Sequence, residues 1–273
     1  MKLKEQNNYK QNLTEITMGN KRGQTAIFVI VAIFIVVGGI LIYYLFPGVQ
    51  SVFKGEISPN NFIQSCVEGE VKSGIEMLSK QGGYSNPEGY VLYQGNKIKY
   101  LCYTSQYFLP CNVQQPLIKR QFEVELEKII KLETDECVQN LKEEYEGRGF
   151  VVSGMKDTNV NVEIIPEKIK VIVEAPMTIS KDEVTQNFRS FDVELRSKLY
   201  DLLMISTSLI DFEATYGNTE TTFYYLYYPN LIIQKIKLGD GSTVYKVQDV
   251  TTKEEFSFAS RSLAWPGGYG LNE

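Results

Sequence analysis

The spacing of apolar residues changes twice along the chain. Apolar residues first run without interruption over residues 25–46, then recur every three or four positions, and later alternate with polar residues. An uninterrupted run is typical of a membrane-spanning helix, the three-to-four spacing of an amphipathic helix, and alternation of a strand with one buried face. We therefore predict an α+β protein in which an N-terminal transmembrane helix precedes an exterior domain of helices packed on a mostly antiparallel sheet.

Amphipathic helices are predicted at three places after the apolar run. The first begins at Ser58, which can cap a helix ahead of the following proline, and ends at Gly82. The second covers residues 116–146, and Thr134 with the next aspartate offers a break at which a second piece can begin. The third, LYDLLMISTSLIDFEATYG, ends at Gly217.

Strands are predicted where the apolar period is two. A Tyr-rich hairpin, YVLYQGNKIKYLCY, turns at a Gly-Asn pair. The later strands are FVVSGM, NVNVEII, IKVIVEA, NFRSFDVELR, LIIQKIKL, TVYKVQDV and EFSFASRSL. This change of pattern divides the exterior part into residues 47–148, mainly helical with the Tyr-rich hairpin and four cysteines, and residues 149–273, the sheet part. Whether these parts form one domain or two stays open.

The apolar run predicts an anchor at residues 24–46. No charge lies between residues 25 and 46, and a helix rising about 1.5 Å per residue over that length crosses a hydrocarbon core of about 30 Å. A secretory signal has a shorter apolar core and a small-residue cleavage site, so we favour a retained helix. Lysines and arginines precede the run. The positive-inside rule then places residues 1–23 in the cytoplasm and the C-terminal domain outside a single-pass cell membrane, with the bilayer as a partner.

Charge and composition exclude several functional classes. The net charge of −5 disfavours nucleic-acid binding, which needs a basic surface. The chain has no histidine, so Ser-His-Asp and Cys-His sites are ruled out. Neighbouring Ser–Lys pairs such as Ser197-Lys198 are typical of surface turns. Glu123, Glu127 and Lys131 have the four-residue spacing of an exposed, ion-paired helix face. We predict no cofactor, no metal and a non-catalytic protein.

Four cysteines lie after the apolar run. An even number of cysteines in an exterior, oxidising compartment predicts two disulfides. Cys102 and Cys111 flank the segment YTSQYFLP, which can close on itself, whereas Cys66 and Cys137 lie in two helical patterns that can pack side by side. All three pairings stay open at this point. Zinc is disfavoured because the chain contains no CxxC pair and no histidine.

The eighteen tyrosines exceed the needs of a core. Tyrosine gives large contact area at low entropic cost and is enriched at interfaces, although it also favours half-buried sheet surfaces. We predict a contact surface for an envelope protein or glycan. Its candidate residues are Tyr93, Tyr103, Tyr107, Tyr224 and Tyr227.

The segment KRGQ before the apolar run resembles the leader of archaeal type IV pilin-like proteins. That resemblance implies cleavage between Gly23 and Gln24 by a membrane peptidase, but Phe28 stands where those families carry the glutamate used in filament assembly. From FIQSCVEGEVKSGIEMLSKQGGY through DECVQNL and VIVEAPMTISKDE, the chain resembles uncharacterised membrane-anchored proteins of archaea, in which cysteines are expected at Cys66 and Cys137. This resemblance implies a fold and a location at the membrane. The alternative function is that of a pilin-like filament subunit or accessory protein.

Overall fold

The computed structural model describes residues 29–38 and 58–266. Within those ranges, no helix combines the length and apolarity needed to cross a membrane. Of the predicted anchor, residues 29–38 are described and are helical. The rest of that segment, residues 1–23 and the candidate cleavage position at Gly23 and Gln24 lie outside the described residues. The chain divides into two compact units, Met1–Ile57 and Ser58–Glu273, and the second is described below.

Four helices and ten strands make up the described part of the second unit. The helices are α1 (Pro59–Lys80), α2 (Ile118–Gly147), α3 (Leu199–Tyr216) and α4 (Thr222–Tyr227). The strands are β1 (Tyr90–Tyr93), β2 (Asn96–Tyr103), β3 (Asn112–Val113), β4 (Val151–Ser153), β5 (Asn159–Ile165), β6 (Lys168–Lys181), β7 (Val184–Arg196), β8 (Leu231–Lys237), β9 (Ser242–Asp249) and β10 (Glu255–Arg261). This arrangement confirms the α+β prediction.

The strands form two sheets. The larger sheet has the order β1-β2-β10-β9-β8, with β3 also paired to β2. Its pairs are antiparallel except that β10 runs parallel to β2. In the smaller sheet β6 is central, with β4 and β5 along one edge and β7 along the other, all antiparallel. The prediction of a mostly antiparallel sheet is therefore confirmed, and β2–β10 is the exception.

The core lies between the helices and these two sheets. Helix α1 packs against α2 and also covers β7 and β10, while α2 covers β5 and α3 covers β9 and β10. Apolar side chains at helical spacing on α1, including Ile63, Val67 and Val71, are fully buried. The rings of Phe122 on α2 and Phe256 on β10 lie 6.3 Å apart. Sequence periodicity located these buried faces correctly because burial of one face is what creates the period.

Two local expectations differ from the structure. Helix α2 is continuous through Thr134, whose hydroxyl donates to the Ile130 carbonyl (2.7 Å) inside the helix instead of capping a new one. Strand β6 continues well past the predicted IKVIVEA and forms a long hairpin with β7. A proline is tolerated in a strand only at an edge or an irregularity. Pro176 sits at a register shift between Glu174 and Met177, where a missing N–H does little harm to the ladder.

The predicted exposed face on α2 is wrong at Glu123, which is buried. Its carboxylate accepts a hydrogen bond from the Ile164 N–H (2.9 Å), and the Glu127 carboxylate accepts one from the Val162 N–H (3.1 Å). Both N–H groups belong to the outer edge of β5. These two carboxylates therefore cap a strand edge that would otherwise be open to another chain, while Lys131 forms an ion pair with Asp135 further along α2.

Candidate functional site

Both disulfides are present, which confirms the prediction that the cysteines are paired. Cys66 is bonded to Cys137, joining α1 to α2, and Cys102 to Cys111, closing a short loop at the end of β2. No free cysteine occurs among the described residues. The first bond spans 71 residues and the second only 9, so the second acts locally.

The short loop is fixed along its length to the end of β10. The Thr104 N–H donates to the Arg261 carbonyl (3.1 Å), and the Leu263 N–H donates to the Leu109 carbonyl (2.9 Å). The Phe108 N–H donates to the Ala264 carbonyl (3.0 Å). Residues 103–111 and 261–265 thus form one cross-linked unit, which we call the loop platform. Cross-linking by a disulfide and backbone bonds leaves little conformational entropy to lose on binding.

Aromatic side chains of the loop platform face solvent. Tyr107, Phe108 and Trp265 are each about half exposed. The rings of Phe108 and Trp265 meet edge to face with centroids 4.9 Å apart, and the Arg261 guanidinium lies 5.2 Å from the Tyr107 centroid. The buried Arg261 also donates to the Thr104 carbonyl (2.6 Å). Each ring is therefore held by a neighbour while one face stays accessible, as in preorganised binding surfaces.

Two glycines let the segment after β10 lie close to α3 and the β8–β9 turn. Gly217 ends α3 with a φ of 76°, and a Cβ built on it would lie 2.2 Å from the Leu263 side chain. Gly241 has a φ of 84°, and a Cβ there would lie 2.5 Å from the Ala264 Cβ. Both positions need the left-handed backbone and the missing side chain. These close approaches fix the path of the backbone that leads to Trp265.

A cleft of about 640 Å³ opens beside Trp265. It lies between the end of α3, the β8–β9 turn and the segment after β10. Its lining includes Asn218, Lys237, Ser262, Trp265 and, at depth, the carboxylate-bearing Glu213. This volume is within the size range of small-molecule sites.

Glu213 is the centre of a buried polar network. Only 2% of the residue is exposed, and its carboxylate accepts hydrogen bonds from the Tyr245 hydroxyl, the Ser260 hydroxyl (3.1 Å) and the Thr219 N–H (2.9 Å). The Lys235 ammonium lies 3.5 Å away. This network joins α3 to β8, β9 and β10 beneath the cleft, and its satisfied carboxylate indicates a structural role.

Burial moves the pKa of two members of this network. Burial, together with the adjacent Glu213 carboxylate, raises the pKa of Tyr245 far above its ordinary value of 10.0. Burial lowers the pKa of Lys235, although Glu213 opposes that change. The Lys235 ammonium also donates to Asn218 Oδ1 (2.6 Å) and to the Thr219 carbonyl (2.9 Å). These donations use its N–H groups within the fold.

A second aromatic surface lies on α3 and α4. Phe223, Leu226 and Tyr227 on α4 project into solvent, and Phe212 and Tyr216 on α3 are exposed with ring centroids 5.7 Å apart. Ser208 and Phe212 are four residues apart on α3, so they share a face. Because Ser208 bonds the hydroxyl of Tyr224 (2.7 Å), that face adjoins α4. We call these five exposed residues the aromatic ridge.

The five tyrosines singled out from the sequence do not form one surface. Tyr103 and Tyr107 belong to the loop platform, and Tyr227 belongs to the aromatic ridge. Tyr224 is half-buried against Ser208, and burial raises its pKa. Tyr93 lies at the opposite end of the β1–β2 hairpin, under the Lys246 ammonium at 5.5 Å.

Sequence reasoning missed the platform residues Phe108, Arg261 and Trp265. The available signal was that Trp265 is the only tryptophan in the chain.

The groups considered for catalysis have other partners. The Ser197 hydroxyl donates to Glu254 (2.6 Å), whereas the Lys198 ammonium donates to Glu167 (2.5 Å), so this Ser–Lys pair is engaged with two separate carboxylates. Cys66 and Cys137 lie within 4.8 Å of a Glu133 oxygen, but their sulfurs are bonded to each other and are not thiolate ligands.

Comparison with protein-family models, with curated proteins and with solved structures finds no match.

Proposed function

We propose that this protein is a single-pass, membrane-anchored surface protein whose exterior domain binds an envelope protein or glycan through the loop platform. The carrying observation is that exposed rings at Tyr107, Phe108 and Trp265 are held in place by a disulfide and by backbone hydrogen bonds. Aromatic groups that are rigid before binding are the residues that dominate interface energetics.

The proposed address rests on the charge-free residues 25–46 and on the basic residues before them. Two disulfides are consistent with an oxidising exterior compartment. Protease added to intact cells should degrade residues 60–273 and spare the first twenty residues. Degradation of an N-terminal tag with protection of the domain would reverse the proposed orientation.

A photo-crosslinking amino acid at position 107 tests the binding role in intact cells. The matched control places the same group at Leu132, an exposed apolar residue of α2 outside the platform. We expect a discrete adduct from position 107 that is absent from position 132 and is lost when Cys102 and Cys111 are both replaced by alanine. Protease or glycosidase treatment of the adduct identifies the partner class. Identical labelling at both positions, or none at 107, would contradict the proposal.

A pilin-like filament subunit or accessory is the second candidate, favoured by the KRGQ leader. Mature chains that begin at Gln24 would support processing after Gly23. Because Phe28 replaces the glutamate used in assembly, we expect sheared surface filaments to lack this protein. Its presence as a repeating filament subunit would make this candidate the better one.

A further inference from the structure

The aromatic ridge belongs to an unusually uncharged part of the surface. Residues 221–234 contain no Asp, Glu, Lys or Arg. Within this stretch Leu226 is 76% exposed and Tyr227 is 77% exposed, and Phe223 is also exposed. Leu226 and Tyr227 lie three and four positions after Phe223, so the three side chains share one face of α4. An exposed apolar face of this kind is a candidate interaction site.

Two tyrosines of α4 direct their hydroxyls toward the fold. The Tyr225 hydroxyl donates to the Ile233 carbonyl (2.9 Å) and accepts from the Ile233 N–H (3.2 Å), so it closes the outer edge of β8. The Tyr224 hydroxyl bonds Ser208. The side chains that remain outward at Phe223 and Leu226 have no polar atoms. Phe223 and Leu226 therefore present apolar side chains to solvent beside the exposed Tyr227.

The proposed anchor keeps the exterior domain near lipid. Residues 47–57 separate the end of the apolar run from Ser58, and fully extended they reach about 40 Å. A short tether raises the effective concentration of a second contact into the millimolar range, so a weak contact is sufficient. This step rests on the proposed membrane anchor.

We infer that the aromatic ridge rests in the interfacial layer of the bilayer that carries the anchor. Tyrosine, phenylalanine and leucine at the tip of a fold are the residues that partition into the headgroup–acyl boundary. The nearest exposed charged residues in sequence, Asp211 and Glu220, are acidic, so binding does not depend on anionic lipid. A protein ligand would more commonly be recognised through a mixed polar rim, as the loop platform has.

Depth-dependent fluorescence quenching tests this assignment in the full chain. Trp265→Phe removes the only native tryptophan, after which Leu226→Trp reports the ridge and Leu132→Trp reports a similarly exposed apolar position on α2. Charged residues Lys131 and Glu133 flank the control. The variants are reconstituted into, and separately mixed with, vesicles of zwitterionic lipid brominated near the headgroup. Wild-type hydrogen-exchange protection of the two sheets shows that each variant is folded.

We expect brominated lipid to reduce emission from position 226 at least twofold and to leave position 132 unchanged. Aqueous iodide should show the opposite preference. Shielding of position 226 from iodide without quenching by lipid would mean that a protein covers the ridge, and it would overturn the inference. Equal access of iodide to both positions would also overturn it.

Flotation with vesicles after an alkaline wash reports the anchor separately. A chain that floats while position 226 stays unquenched refutes the ridge assignment alone. A chain that does not float but is quenched at 226 by added vesicles refutes the anchor alone.

Discussion

The loop platform and the aromatic ridge both expose large rings, but the fold holds them in different ways. The platform is closed by Cys102–Cys111, hydrogen-bonded to the segment after β10 and clamped by two glycines. The α4 part of the ridge is a six-residue helix in which the Tyr224 hydroxyl bonds Ser208 and the Tyr225 hydroxyl bonds Ile233. The platform also places Arg261 and Thr104 among its rings, whereas the ridge has no charged residue on α4.

This difference separates two kinds of recognition. A rigid surface with aromatic and polar groups at fixed positions discriminates between partners, because a wrong partner leaves buried polar groups without hydrogen bonds. Binding to an uncharged apolar surface is driven by burial of apolar area. That contribution is non-directional, so it does not depend on the exact arrangement of groups in the partner. We therefore propose that the platform binds a specific partner and that the ridge adheres non-specifically.

Removing each disulfide in turn should cause the largest loss of unfolding free energy, and it tests whether the two surfaces are held independently. The loop-closure model assigns about 4.4 kcal/mol to Cys66–Cys137 and about 2.7 kcal/mol to Cys102–Cys111, since the first closes a longer loop. Double Cys→Ala variants of each pair, compared by denaturant unfolding, measure these losses.

Hydrogen exchange locates the two effects. Loss of Cys102–Cys111 should raise exchange in residues 103–110 and leave residues 222–228 unchanged, whereas loss of Cys66–Cys137 should raise exchange on α1 and α2. Equal acceleration in the platform and the ridge after loss of the short bridge would show that the two surfaces are not held independently.

Gly217→Ala should cost about 2.5 kcal/mol, from a left-handed backbone and from overlap with Leu263. Gly95→Ala is the matched control because Gly95 has a φ of 84° with no atom within 4 Å of a built Cβ. It should cost only about 1 kcal/mol, from the left-handed backbone alone. Thermal unfolding compares the two variants, and equal losses would mean that Leu263 moves aside freely and does not clamp the platform.

Sequence patterns predicted the elements that depend on burial of one face of a local segment. They missed the features that depend on contacts between residues far apart in sequence. Burial of one helix or strand face leaves a period in the sequence, so α1, α3 and the β5–β6 hairpin were predictable. The C-terminal part of β6 was not predictable. Pro176 is tolerated within that strand because of a bulge, and only the pairing with β7 creates this bulge. Glu123 looked like an exposed ion-paired residue, since its spacing says nothing about the edge of β5 above it.

The candidate site was only half predictable for the same reason. Surplus tyrosines indicated contact surfaces, and the short Cys102–Cys111 spacing indicated a closed loop. Assembly of the platform, however, requires the parallel pairing of β10 with β2, which brings Arg261 beside Tyr103. Pairing between strands so far apart in sequence leaves no periodic signal, so Trp265 could not be assigned to the loop in advance.

Tyr245→Phe should loosen both surfaces together. The Glu213 network joins α3, which carries Phe212 and Tyr216 of the ridge, to β9 and to β10, which leads into the platform. Loss of a hydrogen bond to a buried carboxylate should cost about 2 kcal/mol at neutral pH. Hydrogen exchange should then rise in both surfaces. A rise confined to one of them would contradict a shared support.

The same variant should change the response to alkaline pH. The pKa of Tyr245 is raised in the folded state, so its neutral form is kept while the unfolded chain ionises above pH 10. The wild type therefore loses stability as pH rises above 10, and Tyr245→Phe should lose less over that range. Burial lowers the pKa of Lys235, whose contribution runs the other way because its unfavourable burial is relieved as pH rises. Unfolding free energies measured from pH 8 to 11 separate the contributions of Tyr245 and Lys235. Parallel curves for wild type and variant would contradict a raised pKa of Tyr245.

Tyr225→Phe should have the smallest effect and the most local one. The change keeps the ring but removes a hydroxyl that both donates to the Ile233 carbonyl and accepts from the Ile233 N–H. That edge of β8 lies near the surface, so water replaces part of the lost bonding and the cost should be about 1 kcal/mol. Tyr227→Phe is the matched control, because Tyr227 is 77% exposed on the same helix and should change stability by less than about 0.5 kcal/mol. Exchange of the Ile233 amide should accelerate in the first variant only, while residues 103–111 keep their wild-type protection in both. Faster exchange across the loop platform after Tyr225→Phe would mean that local opening at β8 spreads through the sheet. The ridge and the platform would then open as one cooperative unit.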